Sequence, residues 1–394
     1  VTQRAVFVWE LGDGLGHASR LLRIADGLSR DDGVECVFVV RNLEVGGAFV
    51  RRRGFTVLQA PMSRIEAIRG PDTDQPVSAG DILGSIGFAS PERLGTTVDA
   101  WSALFDYLKP GLVVSDYAPM ANLALYGGPV PVVVIGDGFT LPPVDDPAFR
   151  PFRQARPAYD EARLRSVVAS VQSARGRPSP DRLPALFAGD RHFVITLPEL
   201  DQWARFRAQP AIGPLDGIPG PVDETPSDDF FCYVSASYQY TPRVLEALAT
   251  SGRSGSVFLR DSTPGQRDHW RGRGLTVHDT PRDMREQASR CRVILHHGGV
   301  GTCEQVLAFG RPQVLVPRHF EQASNARCLM SHGCAVALRS GGNFQVEHVQ
   351  GALRAAVERD DIRAAARSMA ETLASRQSNA LETITVACRA LLEA

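Results

Sequence analysis

Along the chain, short runs of β-branched and other apolar residues alternate with segments whose apolar positions recur every three or four residues. That is the pattern of parallel strands covered by helices. Arg4 to Trp9 reads as the first strand, and Leu21, Leu22, Ala25 and Leu28 give His17 to Arg30 one apolar helical face. Val34 to Val40 is the next strand, and Ala48 to Arg53 ends a helix stopped by Gly54. Gly111 to Ser115 and Val130 to Ile135 are two further strands around a helix at Met120 to Tyr126, and Arg191 to Thr196 closes the series. A second series opens with the strand Phe230 to Ser235 and the helix Pro242 to Ala249. Strands follow at Ser256 to Leu259, Thr276 to His278, Arg292 to Leu295 and Gln313 to Val316. Between the two series, Gly217, Pro219, Gly220, Pro221 and Pro226 keep Asp216 to Asp229 from continuing any element, which makes it the expected linker.

The pattern predicts an α/β domain over 1–215, the linker over 216–229, an α/β domain over 230–375 and a terminal segment over 376–394. Two such domains imply a cleft between them. Residues 64–90, rich in Gly, Pro, Asp and Ser, and 137–157, rich in Pro and aromatics, show little periodicity. Loops this long in a compact domain are binding loops or disordered. Phe88, Phe139, Phe149 and Phe152 favour binding loops that offer apolar contact area, with mobile surface loops as the alternative.

Composition narrows the function. The 394 residues hold 43 Lys+Arg against 44 Asp+Glu, a net charge of -1, so the electrostatic footprint of a nucleic-acid binder is missing. Lys109 is the sole lysine, a compositional bias without functional weight. The cysteines, Cys36, Cys232, Cys291, Cys303, Cys328, Cys334 and Cys388, are odd in number and scattered, without metal-ligand spacing. They suit a reducing cytoplasm better than a disulfide framework. No apolar stretch approaches the roughly 20 residues that cross a bilayer, and no signal peptide is legible at the start. Arg51 to Arg53 reads as a solvated helix end, with contact to an anionic membrane surface as the alternative.

The most specific signal runs from Arg292 to Ala326. A strand ends at His296-His297, the chain turns through Gly298, Gly299 and Gly301, and a helix opens near Thr302, stopped by Gly310 and Pro312. Glycines let backbone N–H groups approach a ligand, and a helix N-terminus carries roughly half a positive charge, so this is an anion site built without a metal. His296 and Thr302 are expected to add side-chain donors. Glu304 near the helix start suits vicinal hydroxyls, and Glu321-Gln322 after the next strand suits the hydroxyls of a sugar. His297 is read as a packing residue. In the first half, Gly12, Gly14 and Gly16 form a turn before His17. The spacing is G-x-G-x-G, and the second strand ends at Val40-Arg41 without an acid, so a dinucleotide-binding reading is disfavoured.

The run from His296 to Ala326 resembles the nucleotide-sugar signature of GT-B glycosyltransferases of the family 1 type, the bacterial macrolide and plant secondary-metabolite enzymes. The peptidoglycan N-acetylglucosaminyltransferases are more distantly similar. The resemblance implies two Rossmann-like parallel-sheet domains facing a cleft, with a C-terminal helix packing back toward the first domain. It implies a metal-independent, inverting transfer from an NDP-sugar to a small, partly apolar acceptor, with no cofactor. By the same resemblance His296, Gly298, Gly299, Gly301 and Thr302 hold the diphosphate, Glu304 the ribose and Glu321 with Gln322 the donor sugar. Glu321 stands where the family has Asp, which bears on donor identity. Pro281 and Arg282 fall at the loop beside the nucleobase. His17 takes the place of the base that deprotonates the acceptor, and Asp116, 99 residues downstream at a strand end, the place of the acid that orients it. A carboxylate on one ring nitrogen leaves the other free to accept a proton and steadies the imidazolium, while the helix N-terminus keeps the resting ring neutral. Arg20, one turn on, faces the cleft or solvent. An NDP-sugar epimerase and a catalytically silent nucleotide-sugar-binding protein are the alternatives.

Overall fold

The computed structural model describes all residues but 1, 2, 13, 224, 225 and 377, together with the backbone alone of 30–32. It divides into two units. The first comprises 1–195, 203–215 and 379–394, and the second 196–202 and 216–378.

The first unit is a six-stranded parallel sheet of β1 (Arg4–Trp9), β2 (Glu35–Val40), β3 (Thr56–Gln59), β4 (Leu112–Asp116), β5 (Val132–Gly136) and β6 (Arg191–Val194). Its order is β3-β2-β1-β4-β5-β6. β4 and β5 are buried along their whole length, which is why they read as unbroken apolar runs. The helix Gly16–Asp32 buries Leu21, Leu22, Ile24, Ala25 and Leu28 on one side of the sheet and stops at Gly33, φ 63°. The helix Pro91–Leu108, begun by the Ser90 hydroxyl accepting from Arg93 N–H and by Pro91, covers the other side with Trp101 and Phe105. The last helix, Ala380–Glu393, belongs to this unit: Ile384 and Cys388 join the core beneath the first helix, and Thr385 meets Gly27.

The second unit repeats the plan with β7 (Asp228–Ser235), β8 (Gly255–Arg260), β9 (Thr276–His278), β10 (Cys291–His296), β11 (Gln313–Leu315) and β12 (Ala335–Ala337), ordered β12-β11-β10-β7-β8-β9. Taken from its own first strand, this is the order of the first sheet. All seven cysteines are free thiols. No helix among the described residues is long and apolar enough to cross a membrane.

Several elements differ from the sequence reading. β7 begins at Asp228, so the linker ends sooner, and residues 196–202 go with the second unit. Residues 79–88 are helical rather than loop, and Phe88, Phe149 and Phe152 are buried, the first two in the main core of the first unit. These rings are core rather than open ligand contacts. Burying a phenylalanine is worth roughly 1.5–3 kcal/mol, enough to order a segment whose periodicity is weak.

Candidate active site

In open parallel sheets, ligands bind beyond the carboxyl ends of the strands where the strand order reverses. In the first sheet that point lies between β1 and β4, whose registers pair Trp9 with Asp116. The glycine turn after β1 delivers His17 there, on the first turn of its helix, and β4 ends on Asp116. His17 Nδ1 lies 3.0 Å from Asp116 Oδ2, with the side chains 8% and 0% exposed. The contact is a charge contact whose N–H direction lies off the hydrogen-bond line. The ring is held between Trp9, 5.3 Å away, and Tyr117, 6.2 Å away, both stacked. Tyr117 itself takes a left-handed backbone, φ 51°, which turns the chain directly after Asp116.

Gly12, φ 87°, accounts for the first glycine: a Cβ there would stand 2.5 Å from His17 Nε2. Gly14, φ 90°, has nothing within 4 Å, so its demand is on backbone conformation alone. Gly16 begins the helix.

Burial is the largest influence on the His17 ring and opposes its charge, yet Asp116 outweighs it and the pKa is raised. The neutral resting ring expected from the helix N-terminus is therefore not the net direction. The Arg20 side chain, 15% exposed, is turned to two carboxylates: its Nη2 is 2.8 Å from Asp137 Oδ2 and its Nη1 3.8 Å from Asp116 Oδ2. Asp137, just past β5, is 3% exposed. Burial opposes its ionisation, but Arg20 and the N–H groups of Thr140 and Phe139 hold its pKa down to about 2. Close by, Glu10 is pushed up to about 8 by burial, although Met120 N–H and Ala121 N–H donate to its Oε2 at 3.0 and 3.4 Å.

In the second sheet the corresponding point lies between β7 and β10, which end at Ser235 and His296. Tyr233, Ser235, Arg260, His296, His297, Gly299, Thr302, Arg318 and Gln322 line a cavity of about 110 Å³ there. The helix Val300–Ala308 starts two residues earlier than expected, with Gly299 at its N-cap and no side chain capping it. Unpaired N–H groups at the first turn are thus presented to an anion beside the Thr302 side chain.

The two histidines play a different part from the one expected of His296. Gly298 N–H donates to His296 Nδ1 at 3.1 Å, which assigns the proton to Nε2, 2.8 Å from Gln313 Oε1. Ser235 N–H donates to His297 Nε2 at 3.0 Å, leaving Nδ1–H to donate to Val316 O at 2.9 Å. Burial pushes both rings down to about 4, against the pull of those hydrogen bonds. His296 is therefore not a free donor here; it shapes the turn, as does Asn325, whose amide donates to Gly298 O at 3.0 Å.

One oxygen of the Glu304 carboxylate is already engaged: Thr196 Oγ1 and Leu197 N–H donate to its Oε1 at 2.7 and 3.1 Å. Gln322 lines the cavity, and its Oε1 accepts from Arg318 N–H at 2.8 Å. Glu321 is half-buried on the first turn of the helix Phe320–Ser331. Pro281 and Arg282 are exposed after β9, and Arg282 Nη2 pairs with Glu286 Oε1 at 3.1 Å.

Sequence reasoning missed Asp137, Glu10, Arg260, Arg318 and Gln313. Asp137 carried the same signal as Asp116, an acid at the end of an apolar strand, and Gln313 stood as a polar residue in one. Arg260 and Arg318 carried none, being two arginines among many.

The architecture has known counterparts. The calicheamicin glycosyltransferase CalG4 superposes with a TM-score of 0.70 at 19% identity, over 100% of this chain and 98% of that one. The fold is that of the GT-B glycosyltransferases. The spinosyn forosaminyltransferase SpnP matches at 0.62 and 16% identity over 100% of both chains. The glycosyltransferase VinC in complex with dTDP matches at 0.62 and 15%, over 99% of this chain and all of the other. Residues 282–388 match the C-terminal domain of erythromycin biosynthesis protein CIII-like proteins. No curated protein matches the chain by sequence. The matched segment includes the turn, the helix Val300–Ala308 and Glu321-Gln322, so the stretch of this GT-B chain richest in candidate anion and sugar contacts is also the stretch with a named relative.

Proposed function

We propose that the protein is an inverting, metal-independent glycosyltransferase that moves a sugar from an NDP-sugar to a hydroxyl of a small, partly apolar acceptor in the cytoplasm. The observation that carries this reading is the buried His17–Asp116 contact at the switch point of the first sheet, with Nε2 turned to the glycine turn. The fold and the dTDP complex of VinC support an NDP-sugar donor, dTDP or UDP-linked.

In the reaction the acceptor oxygen attacks the anomeric carbon as the bond from that carbon to the diphosphate oxygen breaks. The acceptor proton passes to His17 Nε2, and the electron pair leaves with the diphosphate. Asp116 steadies the imidazolium. Charge gathering on the leaving group meets the N–H groups of Val300, Gly301 and Thr302, the Thr302 hydroxyl and Arg318, all fixed before the reaction begins. Gln322 and Glu321 are the sugar contacts. Glu304 serves the ribose once it exchanges its Thr196 partner for a hydroxyl. Tyr117 and Phe139, with ring centroids 6.4 Å apart, supply apolar surface beside the base in the first unit, backed by the buried rings of Phe152, 5.2 Å from Phe139, and Trp203, 6.0 Å from Phe152.

A thermal-shift panel of UDP, dTDP and GDP with their sugars tests the donor half. Stabilisation by one base series is expected, and no shift with any would refute it. With the donor known, His17→Ala should abolish transfer while nucleotide affinity holds; equal rates in variant and parent would remove His17 as base. Turnover should survive EDTA. Conversion of the donor without an acceptor would point to the epimerase instead.

A further inference from the structure

The geometry assigns Arg20 and Asp137 as a positioning pair that fixes the aim of Asp116 and balances the charge around His17. The inference deepens the reading of His17 as the base, and rests on it. Three elements converge here: the first helix supplies His17 and Arg20, β4 supplies Asp116, and the turn after β5 supplies Asp137. Asp116 Oδ2 is shared, 3.0 Å from His17 Nδ1 and 3.8 Å from Arg20 Nη1. The other arm of the same guanidinium holds Asp137 Oδ2 at 2.8 Å. A planar two-armed cation is the side chain suited to tying two carboxylates at fixed spacing.

The charge count gives the arrangement its consequence. With His17 neutral, the cluster carries two carboxylates and one guanidinium; when His17 takes a proton, it is neutral. Buried charge is costly unless balanced, so the balance favours the protonated ring, the form that base catalysis produces. Arg20 without Asp137 would tip the cluster to a net positive charge on protonation. Asp137 stays ionised because Arg20 and the N–H groups of Phe139 and Thr140 hold it. The groups facing His17 are Asp116, Arg20 and Asp137, with the rings of Trp9 and Tyr117 above and below; Arg20 depresses the His17 pKa and Asp137 raises it.

The test is NMR titration of the His17 ring in the free full-length protein, which needs neither donor nor acceptor. Asp137→Asn should lower the His17 pKa by about one unit, and Arg20→Met should raise it by about as much. The double variant should return it toward the parent value. Opposite shifts with restoration are not the signature of general loosening. Shifts of the same sign, or none, would overturn the inference. If the neutral variants fold poorly by circular dichroism, Arg20→Lys decides the matter: it keeps the positive charge but has one point of attachment where two carboxylates are tied, so the His17 titration should move upward by less than about one unit, and a downward shift or none overturns the pair. In the rate profile for transfer, Asp137→Asn should move the acid limb to lower pH and reduce kcat with donor KM unchanged. Absence of transfer in the parent would refute the enzymatic reading alone, because the titration stands without it.

Discussion

Replacing Gly12 by alanine isolates the demand that the base places on the turn before it. At φ 87° a non-glycine residue costs roughly 1–2 kcal/mol of backbone strain. In addition, the new Cβ would stand 2.5 Å from His17 Nε2, where ordinary contact begins at 3.4 Å, so the ring must move by nearly the difference. Displacement of a reacting group by about 1 Å costs on the order of 10²-fold in rate. Gly14→Ala supplies the control, because Gly14 has φ 90° and nothing within 4 Å of a Cβ. Both variants should lose similar stability in thermal unfolding, roughly 2–4 °C for each kcal/mol in a unit of this size. Only Gly12→Ala should lose transfer, followed as release of nucleoside diphosphate from the donor, while calorimetric nucleotide affinity holds in both. Equal rates in the two variants would refute the placement of Nε2 against Gly12.

Two further outcomes are expected. His296 and His297, held near 4, refuse protons that an unfolded histidine accepts below about 6.5, so stability should fall as the pH drops from 6.5 to 4, by up to roughly 3 kcal/mol for each ring. His17, with a raised pKa, works in the opposite sense: its contribution is present below about 6.5 and is lost as the pH rises through its folded value. Urea midpoints at pH 7 and 4.5 read the balance, and His297→Gln should show a shallower fall than the parent; an identical fall would contradict the assignment. Thr302→Ala with Arg318→Ala should weaken nucleoside diphosphate binding about tenfold or more, since each removes one donor to a charged group worth roughly 1.5–3 kcal/mol. Unchanged affinity by calorimetry would sink the phosphate site at this helix.

The amino-acid sequence by itself determined the two parallel-sheet units, because a buried strand needs an unbroken apolar run and a covering helix needs an apolar face, and both are local patterns. It also determined which short segments carry chemistry: the turn before His17, the strand-end Asp116, and the run from His296 to Gln322. Local patterns say nothing of how partners far apart in the chain share their hydrogen bonds. Only the tertiary structure decided that His296 spends both ring nitrogens on Gly298 and Gln313, that Glu304 is engaged by Thr196, and that residues 196–202 join a unit other than their chain neighbours. The same holds for Arg20, one of many arginines in the sequence. Its significance comes from standing between two buried carboxylates 96 and 117 positions away, where the cost of burying charge makes each partner necessary to the others.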